Sequence, residues 1–326
     1  MKTPAYWYQE NSFLSSLLHP LSYLWVTLTF FKKSFTRKYF FHKPIICVGN
    51  AIAGGGGKTP LVIEICKYYK KNKINIHIIY KVYKTKIRDK VVNVSKIKDK
   101  EEIDDEAILI SKYAETWLCK KRKYGISEAI KSGAELIVLD DGLQDTSIKK
   151  DVNILVSNQN QGNGNNKIIP AGPLRETVIS ATNKSSCIFF YGKKDNFIKH
   201  FNDYNKDIFF TQVIINSKKI VKVRRRRIIA FAGIAHPKNF FSLLKDSNIK
   251  LIDTISFPDH YKYKRNELKK ILLLCKKKSA IPVTTYKDYV KIPDDLKKEF
   301  LVIDIYLKFD KRRFFNFINK RVKFNV

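Results

Sequence analysis

Between Phe13 and Phe31 apolar and aromatic side chains dominate, and Leu17, Leu21, Leu24, Leu28 and Phe31 recur at helical spacing with Trp25 beside them. Ser22 and Thr29 fall at other positions around the turn, so the pattern predicts a helix with one strongly apolar face. His19-Pro20 interrupts it, because proline lacks the backbone donor that a helix interior needs. The unbroken part from Leu21 to Phe31 would then span roughly 16 Å at ~1.5 Å per residue, about half the hydrocarbon thickness of a bilayer. Further on, the run Ile45-Ile46-Cys47-Val48 reads as a strand. Glu135-Leu136-Ile137-Val138-Leu139 reads as a buried parallel strand that ends in Asp140-Asp141 and a turn at Gly142. Asp104-Asp105-Glu106, ahead of Ala107 to Ile110, has the form of a helix start whose acids complement the dipole.

The stretch after the first strand carries the strongest chemical signal. Asn50-Ala51-Ile52-Ala53-Gly54-Gly55-Gly56-Gly57-Lys58-Thr59-Pro60 lets backbone N–H groups wrap a polyphosphate, because a Cβ at the glycines would block close approach. A helix from Lys58, with Pro60 in its first turn, would aim its positive end at the same phosphates. Ile52, Ala53, Gly54, Gly55, Gly56, Gly57, Lys58 and Thr59 are therefore the expected nucleotide contacts, with Lys58 on the β and γ phosphates and the Thr59 hydroxyl on Mg²⁺. The general pattern places a glycine where this chain has Ile52, so a flexible glycine loop ahead of a lysine is the competing reading. Asp140 and Asp141, at a later strand end, are the expected metal group opposite the loop; a plain Asp-Gly turn is the alternative.

Composition narrows the classes. With 44% hydrophobic residues and only 13 Gly and 10 Pro in 326 residues, the chain can bury cores for two ordinary domains and is not chiefly disordered. The formal charge of +33 invites nucleic acid, an anionic membrane or a phosphorylated substrate. The lysines are scattered through nearly every segment, and the densest run, Arg224 to Arg227, reads as a solvated linker face, with a phosphate site as the alternative. Cys47, Cys66, Cys119, Cys187 and Cys275 are isolated, without a metal-binding pair, which points to a reducing compartment and buried apolar thiols. The N-terminal stretch has one lysine at its start and no small-residue cleavage pattern, so a secretory signal is disfavoured. A helix in the membrane interface, with Trp25, Lys32, Lys33, Arg37 and Lys38 at the headgroups, is expected. A helix packed on the protein's own core competes with it.

Several blocks in one order resemble the tetraacyldisaccharide 4'-kinase family. They are Gly49-Asn50 through Lys58-Thr59-Pro60, Asp140-Asp141-Gly142-Leu143-Gln144, Pro170-Ala171-Gly172-Pro173-Leu174-Arg175-Glu176, Ala230-Phe231-Ala232-Gly233-Ile234, Phe257-Pro258-Asp259-His260, and Thr284-Thr285 with Lys287-Asp288. The N-terminal Pro4-Ala5-Tyr6-Trp7-Tyr8 and Pro20-Leu21-Ser22 fit as well. The resemblance implies an α/β fold of two α/β/α sandwich domains, the first a P-loop NTPase-like domain, with an N-terminal membrane-associated helix. It divides the chain into residues 1–40 (amphipathic segment), 41–190 (nucleotide domain), 191–227 (linker) and 228–326 (smaller C-terminal domain). It also implies ATP and Mg²⁺ as cofactors, an acylated glucosamine disaccharide 1-phosphate as substrate, lipid IVA as product in lipid A biosynthesis, and a place at the cytoplasmic face of the inner membrane.

By the same resemblance, Asp105 is the base that takes the proton of the sugar 4'-hydroxyl and His260 is its orienting partner. Lys58 and Asp141 act on the transferring phosphate, Asp140 joins Thr59 at the metal, and Asn50, Tyr83 and Gln144 contact the lipid's sugar and phosphate. The chain departs from the family pattern at Tyr80-Lys81-Val82-Tyr83-Lys84, at Asp104 and Ala107, and at Asp145 in place of a histidine. Loss of a bidentate arginine and gain of an acid imply weaker hold on an anionic lipid. Two other functions compete: a P-loop ATPase or GTPase switching membrane attachment, and a basic nucleic-acid-binding protein, for which no motif or aromatic platform is present.

Overall fold

A computed structural model describes residues 4–54, 56–82, 90–97, 103–198, 201, 206–215, 223, 225–259 and 261–324. The chain divides into a larger body, Thr3–Gln212 with Phe309–Val326, and a smaller one centred on Val213–Lys308.

In the larger body the apolar runs form β1 (Ile45–Gly49), β2 (Ile76–Lys81), β3 (Val91–Asn93), β4 (Glu115–Cys119), β5 (Leu136–Asp140), β6 (Val152–Asn158), β7 (Cys187–Tyr191) and β8 (Asp207–Ile215). They lie side by side in the order β8-β7-β6-β1-β5-β2-β4-β3, all parallel except the β3–β4 pair. β1 and β5 are buried along their whole length, as continuous apolar runs in a covered parallel sheet should be. Helices α1 (Phe13–Ser34), α2 (Lys58–Lys71), α3 (Asp105–Ser111), α4 (Arg122–Lys131), α5 (Val178–Lys184) and α6 (Lys194–Ile198) connect or flank the strands. The chain runs from β1 outward to β2 on one side and later to β6 on the other. The carboxyl ends of β1, β5 and β6 therefore frame the crevice where open α/β sheets bind ligands.

Two expectations about chain organisation differ from what is seen. Residues 191–227, read as a linker, contain α6 and β8, and β8 pairs with β7 in the larger body. The C-terminal helix also returns to that body. Its phenylalanines supply the reason, because Phe314 packs edge-on against Phe189 and Phe209, 5.2 and 5.0 Å between ring centroids.

The smaller body is a parallel sheet of β9 (Arg227–Ala232), β10 (Leu251–Ser256), β11 (Ala280–Thr285) and β12 (Leu301–Ile303) in the order β10-β9-β11-β12. Alternate β9 residues serve opposite faces: Ile228, Ala230 and Ala232 join Phe240, Phe241 and Leu244 of α7 (Pro237–Asp246). Ile229 and Phe231 join Leu268, Ile271 and Cys275 of α8 (Arg265–Lys277). That alternation makes an α/β/α sandwich. Thr285 caps the short α9 (Tyr286–Tyr289) by accepting from the Asp288 N–H at 3.1 Å, and the buried Asp288 carboxylate accepts from Tyr263 Oη and pairs with Lys291, both at 2.8 Å. The chain ends in α10 (Lys311–Val322).

α1 runs unbroken through Pro20, unlike the interrupted helix expected, and its 22 residues reach about 33 Å at ~1.5 Å per residue. Its sides are inverted relative to a helix on a soluble core. The two buried residues are Ser15 and Ser22, while Leu17, Leu21, Leu24, Leu28, Phe30 and Phe31 are each at least half exposed. Ser15 Oγ donates to Ala171 O at 2.8 Å and Ser22 Oγ to Ile168 O at 2.7 Å. The helix is thus held to the body by hydroxyls and shows its apolar face outward.

Candidate active site

Gly49 ends β1 where a Cβ would meet Leu143 Cβ at 2.5 Å, so only glycine lets the chain leave the sheet so close to the turn after β5. The loop that follows is strapped on one side by the 168–176 segment: Ala53 N–H donates to Pro173 O and Arg175 N–H to Ala51 O, both at 2.8 Å. Asn50, expected to meet a sugar, is instead fully buried beneath the loop. Its Nδ2 reaches Gly54 O at 3.4 Å, and a Cβ on Gly56 would run into that same amide. Gly57 takes a left-handed conformation, φ 77°, and its carbonyl accepts from Tyr191 Oη at 2.7 Å. α2 then begins at Lys58, with Thr59 next and Pro60 third, as the pattern predicts.

Lys58 Nζ lies 3.5 Å from Asp141 Oδ1, and Arg175 Nη1 donates to Asp141 Oδ2 at 2.9 Å. Burial acts to raise the Asp141 carboxyl, but the Lys58 ammonium and the Arg175 guanidinium outweigh it and hold the group below the usual carboxylate range. Its neighbour behaves oppositely. Asp140 is 3% exposed, and burial together with the Glu106 carboxylate pushes it up to about 7 against the pull of Lys58. Asp140 Oδ1 has no hydrogen-bond partner. Adjacent acids on one turn therefore differ in charge near neutrality, one paired with cations and one poised to receive a cation.

The charge of Glu106, the second residue of α3 after Asp105, helps to raise Asp140, so the start of that helix is near enough for its charge to be felt at the acid pair. Tyr80 at the end of β2 feels the same cluster: burial, Glu106 and Asp104 push its phenol upward. Gln144 Nε2 donates to Asn50 O at 2.8 Å and to Glu176 Oε1 at 3.3 Å, and its Oε1 accepts from Arg175 at 3.3 Å. Glu176, 6% exposed, also accepts from Ser180 Oγ at 2.7 Å and is bonded by Lys184, with Lys33 at the end of α1 3.7 Å away.

Lys58, Asp140, Asp141, Gln144 and the loop are thus gathered at the carboxyl ends of the central strands β1 and β5. Tyr83, Gly55 and His260 lie outside the described residues. Arg122 was not singled out by sequence. It donates to Asp140 O at 3.1 Å, to Asp141 O at 2.7 Å and to Asp145 Oδ2 at 3.0 Å. Asp145, expected to face an anionic ligand, is held by Arg122 and by the Ser147 N–H and Oγ, at 3.0 and 2.5 Å. No spacing rule reveals an arginine that holds a turn from a neighbouring helix. Arg175 and Glu176, by contrast, stand in the Pro-Ala-Gly-Pro-Leu block and could have been read as site residues from it.

A central strand, a glycine loop, a lysine and threonine opening the next helix and an acid pair at the adjacent strand end define a P-loop nucleotide-binding protein. The family model for tetraacyldisaccharide-1-P 4'-kinase matches residues 14–323. Proteins named tetraacyldisaccharide 4'-kinase from Rhodospirillum centenum and Pelagibacter ubique are similar, 30% identical over 95% of this chain and 94% of the relative, and 31% over 100% and 98%. In fold the chain matches the LpxK of Aquifex aeolicus, solved in complex with ATP, with a TM-score of 0.76 over 95% of this chain and all of the other at 24% identity. The chain belongs to the tetraacyldisaccharide-1-P 4'-kinase family, and it is an ATP-dependent kinase of lipid A biosynthesis.

Proposed function

We propose that this chain transfers the γ-phosphate of ATP to the 4'-hydroxyl of tetraacyldisaccharide 1-phosphate, forming lipid IVA, with Mg²⁺ and at the cytoplasmic face of the bacterial inner membrane. The match to the family across residues 14–323 carries this reading. Glycine-loop amides and Lys58 hold the β and γ phosphates, and Asp141, tied to Lys58 and Arg175, fixes the lysine in place. The residues present fit a divalent cation: Asp140 Oδ1 is buried and unbonded, and Thr59 is the second residue of α2, next to Lys58, whose charge acts on Asp140. Among the described residues no cluster of three or more histidine, cysteine or acidic side chains could hold a metal alone, which suits Mg²⁺ taking most of its oxygens from phosphate and water. Mg²⁺ held there would neutralise charge building on the phosphates.

Asp105, in the role the resemblance gives it, accepts the proton of the attacking hydroxyl. Gln144, with Tyr83, meets the disaccharide headgroup, while Asn50 supports the loop from beneath. The outward apolar face of α1 seats the protein on the membrane that carries the substrate.

The test is incubation of the purified protein with labelled ATP, Mg²⁺ and the disaccharide 1-phosphate in detergent micelles. Label should appear on the lipid, and Asp105→Ala should slow the transfer about 10²- to 10⁴-fold while leaving ATP affinity unchanged. ATP hydrolysis without lipid, at a rate indifferent to Asp105→Ala, would instead indicate a nucleotide switch.

A further inference from the structure

α1 is not followed by a loose linker. The Phe35 N–H donates to Phe31 O at 3.1 Å and the Thr36 N–H to Lys33 O at 3.2 Å, closing the helix in a final turn. Tyr39 is then pinned to the body through a bridge to Ile148: its N–H donates to Ser147 O at 2.7 Å, and the Lys149 N–H donates to Tyr39 O at 3.1 Å. Lys123 Nζ donates to Tyr39 Oη at 2.7 Å and stands 4.4 Å from the centre of its ring. This fixed strap displays two large apolar side chains to solvent, Phe35 at 85% and Phe40 at 67% exposure. Cations flank the strap: Lys149 lies over the Phe40 ring at 5.6 Å, and Arg37 over the ring of Tyr39 at 5.7 Å.

Exposed phenylalanines on a restrained backbone gain nothing from the fold itself, and the ammonium groups beside them prefer water or anions to an apolar partner protein. A surface that is apolar at its tip and cationic around it matches the boundary of a bilayer with anionic headgroups. The patch also continues the outward apolar face of α1, which ends at the same turn.

We propose that the strap around Phe35 and Phe40, with Lys123 and Lys149 of the larger body, is a second membrane-contact surface that takes anionic lipid headgroups and fixes how the body sits on the bilayer. The proposal rests on the membrane reading of α1 and adds a contact made by the folded body. Because Tyr39 and Lys123 tie strap and body together, the bilayer would grip the nucleotide-binding body directly instead of tethering it by one helix.

The experiment is flotation of the full chain with phosphatidylcholine vesicles, with and without phosphatidylglycerol. Phe35→Ser/Phe40→Ser should lower partitioning onto both vesicles, by about tenfold for each ring that is buried. Lys123→Gln/Lys149→Gln should lower it only where phosphatidylglycerol is present, and Lys123→Arg should bind like the parent. Lys269→Gln/Lys270→Gln, on exposed lysines of α8, removes the same charge elsewhere and should change neither. Unchanged ATP affinity identifies each variant as folded. Parent-like binding by either patch variant, or an equal loss in the α8 variant, overturns the proposal. A parent that floats, with binding lost only when Leu21, Leu24 and Leu28 become Gln, keeps the membrane reading and removes the patch. A parent that floats with neither vesicle removes both.

Discussion

Gly56 and Asp140 show how much of the site is set by single atoms. A methyl group at Gly56 would enter the space of the Asn50 amide that braces the loop, so Gly56→Ala must shift either the brace or the cradle. Overpacking of this kind costs about 1–3 kcal/mol, and ATP affinity measured by equilibrium binding should weaken by about tenfold or more while the fold persists. Asp140 makes a pH prediction whose sign follows from its environment. Its carboxyl is raised in the folded protein to about 7 from an ordinary value of 3.8, so between these values the folded chain binds more protons than the unfolded one. Its contribution to stability is therefore lost as pH rises through that window, at up to about 1.4 kcal/mol per pH unit. Asp140→Asn removes the titration, so in thermal melts without nucleotide it should gain on the parent steadily from pH 4 to 7. A constant difference between the two across that range would mean that Asp140 ionises normally.

Among the elements, α1 depends most on the face that hydrophobicity rules would have assigned to solvent. Ser15, Ser22 and Thr29 are seven residues apart, and the two serines are the buried pair whose hydroxyls reach the 168–171 carbonyls. Ser22→Leu would insert volume into that contact and remove one of the two donors of Ile168 O, leaving only the Gly172 N–H, at a cost of about 1–3 kcal/mol. Its neighbour Leu21→Ser exchanges an exposed side chain and should stay within about 0.5 kcal/mol of the parent. Melting both variants side by side checks the inversion, and an equal loss in the two would show the leucine face to be packed. The consequence reaches the site, because the same 168–176 segment straps the glycine loop, and Glu176 links Lys33 of this helix to Gln144.

At the scale of the molecule, the fold and the phosphate cradle were legible because each follows from a local pattern: apolar runs buried in a parallel sheet, glycines where a Cβ would collide, a lysine and threonine opening a helix. Arg122, Glu106 and the pairing of Asp145 were not legible, since their partners are set by the packing of α3 and α4 against strand ends far away in sequence. Pro20 misled in the other direction. A rule about lost hydrogen bonds predicted a break, whereas the helix continues through it. The unpartnered leucine face that results concerns the whole protein. The body buries its cores without it, with Ile45 to Val48, Ile137 and Leu139 fully enclosed in the sheet. Replacing Leu17, Leu21, Leu24 and Leu28 together by Gln should therefore leave the melting temperature and ATP affinity close to the parent's, since these side chains are each half exposed or more. The same variant should elute as a monodisperse species without detergent and lose most lipid phosphorylation on vesicles, because only delivery to the surface is removed. A collapse in melting temperature would mean that the leucines are packed in the free protein, and the membrane role of α1 would lose its support.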